Sequence, residues 1–481
     1  MNFAILSFII GFILQFEALF LLLPWIVGMI YGEYHVALIY LVTAAVCFIL
    51  GKLLSFRHTG RFKELYVREG FTAVALGWFV MSVFGAIPFV LTGEIPFYID
   101  ALFETISGFT TTGSSILSDV EALSYASLFW RSFTHWIGGM GVLVFLLAII
   151  PLSGGSHMNL MRAESPGPSV SKLVPKVQST AKILYTIYII LTIVEIIFLL
   201  IGKMPLFDTL CLSFGTAGTG GFGIKNDSIA SYSTYNQVVI TVFMILFGIN
   251  FNAYYLLLTK KVMQAAKNEE VRYYLGIIGL AIVAIAINTR EMFTSFGRAF
   301  QQAAFQVGSI ITTTGYATTD FNVWPVFSKT ILVILMFVGA CAGSTGGGIK
   351  VSRLLILCKS ARKELQLYLH PNAVKKIKMD DKAIPHEVVR ATNMFLFVYI
   401  MIFVTSLLII SLDNLDMVSN FTAIAATLNN IGPGLGAVGP TGNFNTYSYI
   451  SKAVMIFDML AGRLEVFPLL LLFKRDTWRK F

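Results

Sequence analysis

Long apolar runs separated by short polar breaks make up most of this chain, and a shorter kind of apolar segment recurs between some of them. Runs over residues 5–30 and 36–54 come first, joined by a tight loop containing Gly32 and Glu33. A basic stretch over 52–68 follows. From there one unit is repeated: a run long enough to cross a bilayer, a segment too short to do so, a glycine turn, and a second long run. The first unit consists of 71–91, 100–108, the turn at Gly113 and 128–151; the second of 183–201, 205–214, Gly221 and 236–258. The third has 274–286, 294–309, Gly315 and 328–357, and the fourth 392–412, 417–429, Gly432 and 449–472. The pattern predicts an all-α polytopic membrane protein of ten spans, an N-terminal helix pair plus four helix–pore loop–helix units around one pseudo-fourfold pore. The corresponding divisions are 1–69, 70–160, 161–265, 266–365 with a glycine-rich loop, and 366–481 with a terminal tail.

The four turns read Thr111-Thr112-Gly113, Thr219-Gly220-Gly221, Thr313-Thr314-Gly315 and Asn430-Ile431-Gly432. Their glycines lie 108, 94 and 117 residues apart, too far for a solenoid repeat. A hairpin that re-enters the membrane is tolerated only where its irregular backbone is buried in protein or lines water. The short helix before each turn would aim its C-terminus, with unsatisfied carbonyls and a partial negative charge, at the membrane centre. That arrangement suits a cation. Glycine permits the positive φ that lets successive carbonyls face one axis, and threonine adds a hydroxyl beside them. One such turn says little, because glycine turns are common; four at equivalent places point to a filter that replaces the hydration shell of potassium.

Composition removes the soluble classes, since 56% of the 481 residues are hydrophobic and 13% charged. The formal charge of +9 is explained by loop placement rather than by nucleic acid. Of 35 lysines and arginines, 27 fall in 52–68, 162–182, 260–272, 350–390 and 474–480, so these segments are read as cytoplasmic together with both termini. The turns then face outward. Four scattered cysteines and six dispersed histidines suggest neither a disulfide framework nor a zinc site. The apolar start, with no basic residue before it, fits a retained helix better than a cleaved signal.

Each returning run also carries a weak point: Gly138-Gly139-Met140-Gly141, Gly248-Ile249-Asn250, the stretch 339–348, and Gly462. For the first two, close helix packing on small residues suffices as an explanation. The third does not fit that reading, because Gly339, Gly343, Gly346, Gly347 and Gly348, with Ser344 and Thr345 among them and Lys350 just beyond, should break a helix in mid-membrane. It is a candidate gate beneath the filter. A phosphate-binding loop is excluded, since Ile349 separates Gly348 from Lys350 and no strand precedes them. Arg463 is either a structural ion pair with Glu465 or Asp458, or a positive charge in the permeation path. Glu17 and Glu195 lie within spans and are read as structurally paired or at the headgroups. Asp100, Glu104, Asp208 and Asp416 lie near the starts of the short helices, where they could cap them and attract cations.

Taken together, Ser107 to Gly113, Thr219 to Phe222, Thr312 to Tyr316, Asn429 to Gly434 and Gly462-Arg463-Leu464-Glu465 resemble the Trk/Ktr/HKT superfamily of potassium transporters. The extra helix pair is similar to the bacterial TrkH/TrkG type of membrane subunit rather than the shorter Ktr one. The resemblance implies that Gly113, Gly221, Gly315 and Gly432 determine selectivity, glycine at all four going with potassium. A serine at the first goes with sodium in some plant relatives. It implies that 339–348 is an intramembrane gating loop, that Arg463 is a pore barrier, and that the chain forms a homodimer with one pore per protomer. It further implies a cytosolic ring of TrkA-type regulatory subunits; nucleotide would act only through that partner, and potassium is the cargo. The bacterial cytoplasmic (inner) membrane is the implied location. Two departures are the glycine-rich second unit, which could loosen selectivity, and Pro468, which could kink the last helix.

A coupled symporter working by alternating access, with protons or sodium as coupling ions, is the competing function. Same-direction units favour a pore, and the turns hold no titratable side chain. An enzyme is remote, because no set of nucleophile, base and acid stands out.

Overall fold

The computed structural model describes residues 1–56, 67–139, 141, 177–372 and 375–479. Helices α1 (Phe3–Ile30) and α2 (Tyr34–Phe56) form the N-terminal hairpin. Their backbones touch at Gly11 and Gly51, where a methyl group on either would lie 2.7 Å from the other's carbonyl oxygen. Gln15 bridges the pair by donating to both of those carbonyls and to Ser55. In the loop, Glu33 accepts the N–H groups of Tyr125 at 2.8 Å and Ala126 at 3.1 Å, satisfying the start of a helix in the next unit.

The first of the units drawn from the sequence contains α3 (Val67–Gly85), α4 (Ile87–Leu91), the short α5 (Tyr98–Phe109) and α6 (Tyr125–Gly139). The second contains α7 (Val177–Ile201), short α8 (Leu206–Gly218), α9 (Thr234–Phe247), α10 (Phe251–Leu258) and α11 (Val262–Ala266). In the third are α12 (Glu269–Asn288), short α13 (Phe296–Ile311), α14 (Val326–Val338) and α15 (Val351–Leu369). A small antiparallel hairpin, Lys378–Met379 with Lys382–Ala383, leads to the fourth. That unit has α16 (His386–Ile410), short α17 (Met417–Asn429), α18 (Tyr449–Arg463), α19 (Phe467–Phe473) and α20 (Arg475–Trp478). The N-terminal amine donates to the Arg479 carbonyl at 2.9 Å, so the two ends meet on one face.

Each short helix packs against its own unit and against the returning helix of the unit before it. Helix α8 meets α6, α13 meets α9, α17 meets α14, and α5 closes the circuit on α18.

The ten predicted spans are not ten continuous helices. Among the described residues six helices are long and apolar enough to cross a membrane, and α9 with α10 adds a seventh if their 90° bend is counted as one span. All four returning runs stop at their weak points. Helix α6 ends at Gly139, and Met140 and 142–151 lie outside the described residues. The predicted single helix over 236–258 turns at Gly248-Ile249-Asn250, because Asn250 caps a new helix by accepting the Asn252 N–H at 2.9 Å. Close packing alone was therefore too little for the second weak point. The fourth run breaks after Arg463, where Glu465 (φ 56°) and Val466 (φ 70°) are left-handed. Pro468 explains the place: it has no N–H, and its ring would strike the Leu464 carbonyl in a continuous helix.

Candidate ion filter and intramembrane gate

The four turns share one backbone geometry. The residue two before each glycine is left-handed: Thr111 (φ 56°), Thr219 (53°), Thr313 (61°) and Asn430 (56°). The glycines follow at 79°, 83°, 87° and 101° for Gly113, Gly221, Gly315 and Gly432. Between them, the N–H groups of Thr112, Gly220, Thr314 and Ile431 reach back to Ser107, Gly215, Ser309 and Ala426 at 2.8, 2.8, 2.8 and 2.9 Å. Each bond satisfies a carbonyl in the last turn of a short helix and fixes where the turn leaves it.

These segments close on one another. A Cβ on Gly113 would strike the Gly220 carbonyl oxygen, one on Gly221 that of Thr314, and one on Gly315 that of Ile431. On Gly432 it would lie 3.0 Å from the carbonyl oxygen of Thr112, which returns to the first segment. Glycine is thus required by the positive φ and again by a neighbour's carbonyl. All four glycines line one cavity of about 200 Å³. Hydroxyls add order: Thr110 and Thr112 bond at 2.7 Å, as do Thr312 and Thr314, while Asn430 donates to Thr112 at 2.9 Å.

The loop 339–350 is wedged against this ring. The Gly347 N–H donates to the Thr313 hydroxyl at 2.6 Å, and the Gly348 N–H to the Asn429 carbonyl at 3.0 Å. On its other side the loop fills the bend of the second unit, with Cys341 N–H on the Gly248 carbonyl at 3.1 Å and Phe251 N–H on the Gly343 carbonyl at 3.0 Å. The Thr345 hydroxyl donates to Phe247, and the buried Lys350 ammonium folds back onto the Gly346 carbonyl. Arg463 donates to the Thr111 hydroxyl at 3.3 Å, to the Thr345 carbonyl at 3.0 Å, and to Gly138 and Gly139 at 2.5 and 2.9 Å. One guanidinium therefore ties a filter threonine, the loop and the broken end of α6. The predicted site residues of filter, loop and arginine all come together here.

The model of the TrkH family, described as a cation transport protein, matches residues 40–479. The Trk system potassium uptake protein TrkH of Salmonella typhimurium is 36% identical over the whole of both chains. That of Vibrio parahaemolyticus is 37% identical over the same extent. A crystal structure of the potassium transporter TrkH from Vibrio parahaemolyticus superposes with a TM-score of 0.89 at 34% identity, covering all of both chains. The chain belongs to the TrkH family. It is a membrane transport protein, not an enzyme.

Several charged groups of this TrkH family member are placed differently from the expectation. Arg463 donates to carbonyls and a hydroxyl, while Glu465 pairs with Arg353 and Asp458 accepts the Ser406 hydroxyl at 2.8 Å. Asp100 is paired with Lys452 at 2.6 Å and Glu104 with Arg131 at 2.7 Å, both in buried positions. Asp208 accepts from Tyr232 at 2.8 Å. These three neutralise or hold partners instead of capping, since α5 and α8 have Phe97 and Pro205 at their caps with no side-chain bond. Asp416 does cap, accepting the Ser419 N–H at 3.0 Å, and the Ser419 hydroxyl, followed by that N–H, holds its carboxyl below its ordinary value. None of the four carboxylates lines the filter cavity among the described residues. Glu17 and Glu195 are 1% and 0% exposed, so the headgroup reading does not hold, and neither makes an ion pair among the described residues.

Glu270 was missed. Its buried carboxylate accepts Ala342 N–H at 2.6 Å and Ser352 N–H at 3.1 Å, and so grips both ends of the glycine-rich loop. In sequence it is one of two acidic residues in the first turn of α12, a placement that the helix dipole explains without any loop.

Proposed function

We propose that this protein takes up potassium across the bacterial cytoplasmic membrane through a channel-like pore selective for K+ and Rb+ over Na+ and Li+. The observation that carries the reading is the closed ring of Thr112, Gly220, Thr314 and Ile431 carbonyls against Gly432, Gly113, Gly221 and Gly315, in that order. Carbonyl oxygens arranged around an axis replace the water shell of a dehydrated cation. The C-terminal ends of α5, α8, α13 and α17 add partial negative charge toward the same place. The relatives named as potassium uptake proteins fit that cargo.

In this reading the four units surround one pseudo-fourfold pore in ten spans, several broken at mid-membrane, and the unit divisions are those drawn from the sequence. The loop 339–348 with Lys350 is the gate, and Arg463 is a positive barrier beneath the filter. Both termini are cytoplasmic, as the positive-inside rule requires of the basic loops. The protein works as a homodimer, and a nucleotide-binding ring of the TrkA type acts on the gate from the cytosol.

The test is ion flux into liposomes holding the purified protein alone. Potassium and rubidium should run down their own gradients, well above sodium and lithium, whether or not a proton gradient is imposed. Flux that needs the proton gradient would replace this mechanism with coupled symport, in which the four segments form a binding site.

A further inference from the structure

The second filter segment is built differently from the others, and the difference exposes a device behind it. Segments one and three have threonine at the middle position and an internal hydroxyl pair; segment four has Asn430, which donates to Thr112 and to the Met459 carbonyl. Segment two has Gly220 in the middle, with Gly215, Gly218 and Gly223 around it. Such a run has more conformational freedom than any of the other three.

The space left by Gly220 is filled by the ring of His135, which a Cβ there would overlap. His135 is fully buried. Its Nε2 lies 3.1 Å from the Phe222 backbone nitrogen, and its Nδ1 2.7 Å from the Gly108 carbonyl oxygen. A backbone N–H can only donate, so Nε2 accepts; Nδ1 therefore carries the proton and donates to Gly108. The imidazole is a neutral rod of fixed tautomer between the last turn of α5 and the residue after Gly221. One helical turn earlier on the same face, Arg131 donates to the Gly223 carbonyl at 3.2 Å and lies 4.1 Å over the Phe222 ring, its charge balanced by Glu104. At the same offsets before the weak points, the other returning helices carry Ile245, Met336 and Met459 in place of His135, and Thr241, Leu332 and Met455 in place of Arg131. Only the helix facing the glycine-rich segment holds this pair.

We propose that His135, assisted by Arg131, is a positioning residue for selectivity: it fixes the register of the second filter segment in place of the hydroxyl and amide bonds that order the others. The inference rests on the filter reading of the four turns.

The experiment measures K+ and Na+ flux in liposomes for the full-length protein and for His135→Phe, His135→Gln, His135→Asn and Gly221→Ser, each shown to be monodisperse. His135→Phe fills the space but makes neither bond, and should lower the K+/Na+ flux ratio about tenfold, as the loss of about 1.4 kcal/mol would. His135→Gln reaches far enough to accept from Phe222 and should recover most of the ratio; His135→Asn is too short and should not. If His135→Phe does not fold, the contrast between the two amides carries the test. Equal, wild-type ratios in the foldable variants, with a lowered ratio in Gly221→Ser, would reduce His135 to a space-filler and overturn the proposal alone. An unchanged ratio in Gly221→Ser as well would overturn the filter reading beneath it.

Discussion

The layer of the four turns and the layer of helix breaks immediately beneath it differ in regularity: the turns are nearly alike and the breaks are not. Above, four segments share left-handed φ values of 53–61° and back-bonds of 2.8–2.9 Å. Below, the four returning helices all break, but each break is different: α6 ends at Gly139, α9 bends by 90° into α10, α14 opens into a long loop, and α18 stops at Arg463. The pieces also interlock across units, the loop of the third filling the bend of the second and the arginine of the fourth reaching the first. Under the proposed filter role the repetition above has a reason, since coordinating a spherical ion asks for equal oxygens on every side. Blocking and opening a path needs only one movable element held by unlike neighbours, and the proposed gate asks no more of the lower layer.

The largest expected effect comes from breaking the symmetry above. In Gly113→Ser the side chain would have to displace the Gly220 carbonyl and sit at a φ of 79°. Strain of about 1–3 kcal/mol and the lost oxygen together predict a K+/Na+ flux ratio lower by up to about a hundredfold, with total cation flux retained. Measuring the ratio in liposomes checks this. An unaltered ratio would mean that the ring does not discriminate between the two ions.

How much of this contrast could be read from residues alone follows the same division. The upper layer was legible because its demands are local: a glycine at positive φ, a threonine beside it, an apolar segment before it. The break at 339–348 was legible for the same reason, five glycines being intolerable in a helix. The places where the other helices break were half visible, as in Asn250 and Pro468, whose capping and steric effects act within four residues. What could not be read are contacts between distant parts of the chain. Lys452 meets Asp100 across 352 positions, Glu33 reaches Tyr125 across 92, and Glu270 finds Ala342 across 72. A carboxylate near a helix start looks like a cap until the fold brings it a lysine.

Next in size is the arginine of the lower layer. In the proposed barrier role the guanidinium would repel an arriving cation by about 1–2 kcal/mol at a partly solvated site, so Arg463→Ala should raise potassium flux about tenfold without changing the K+/Na+ ratio. A changed ratio would show that the two layers are not separable, because Arg463 also holds the Thr111 hydroxyl. Unaltered flux in a folded variant would make the residue a structural tie between the loop and α6. A smaller gain is expected from Glu270→Ala, which leaves two loop N–H groups without their acceptor and so loosens the loop at both ends. Resting flux should rise about threefold, and Glu270→Gln, which retains an acceptor oxygen, should rise less. If both variants lower flux while remaining folded, the loop is a scaffold and not the barrier.

An effect of similar, small size probes the imperfection in the upper layer itself. Gly432 has the most open neighbourhood of the four: its Cβ would lie 3.0 Å from the Thr112 carbonyl oxygen and 3.3 Å from Gly113 atoms, against direct overlap at the other three positions. Its φ of 101° is also the furthest from the rest. Gly432→Ser should therefore lower the K+/Na+ ratio by less than Gly113→Ser, about threefold, because conformational strain remains while the carbonyl of the neighbour has only to give by a few tenths of an ångström. Equal losses at the two positions would mean that positive φ, common to both, sets the requirement for glycine. A graded loss would mean that the fit between neighbouring segments sets it, and that the fourth segment is where the ring can yield.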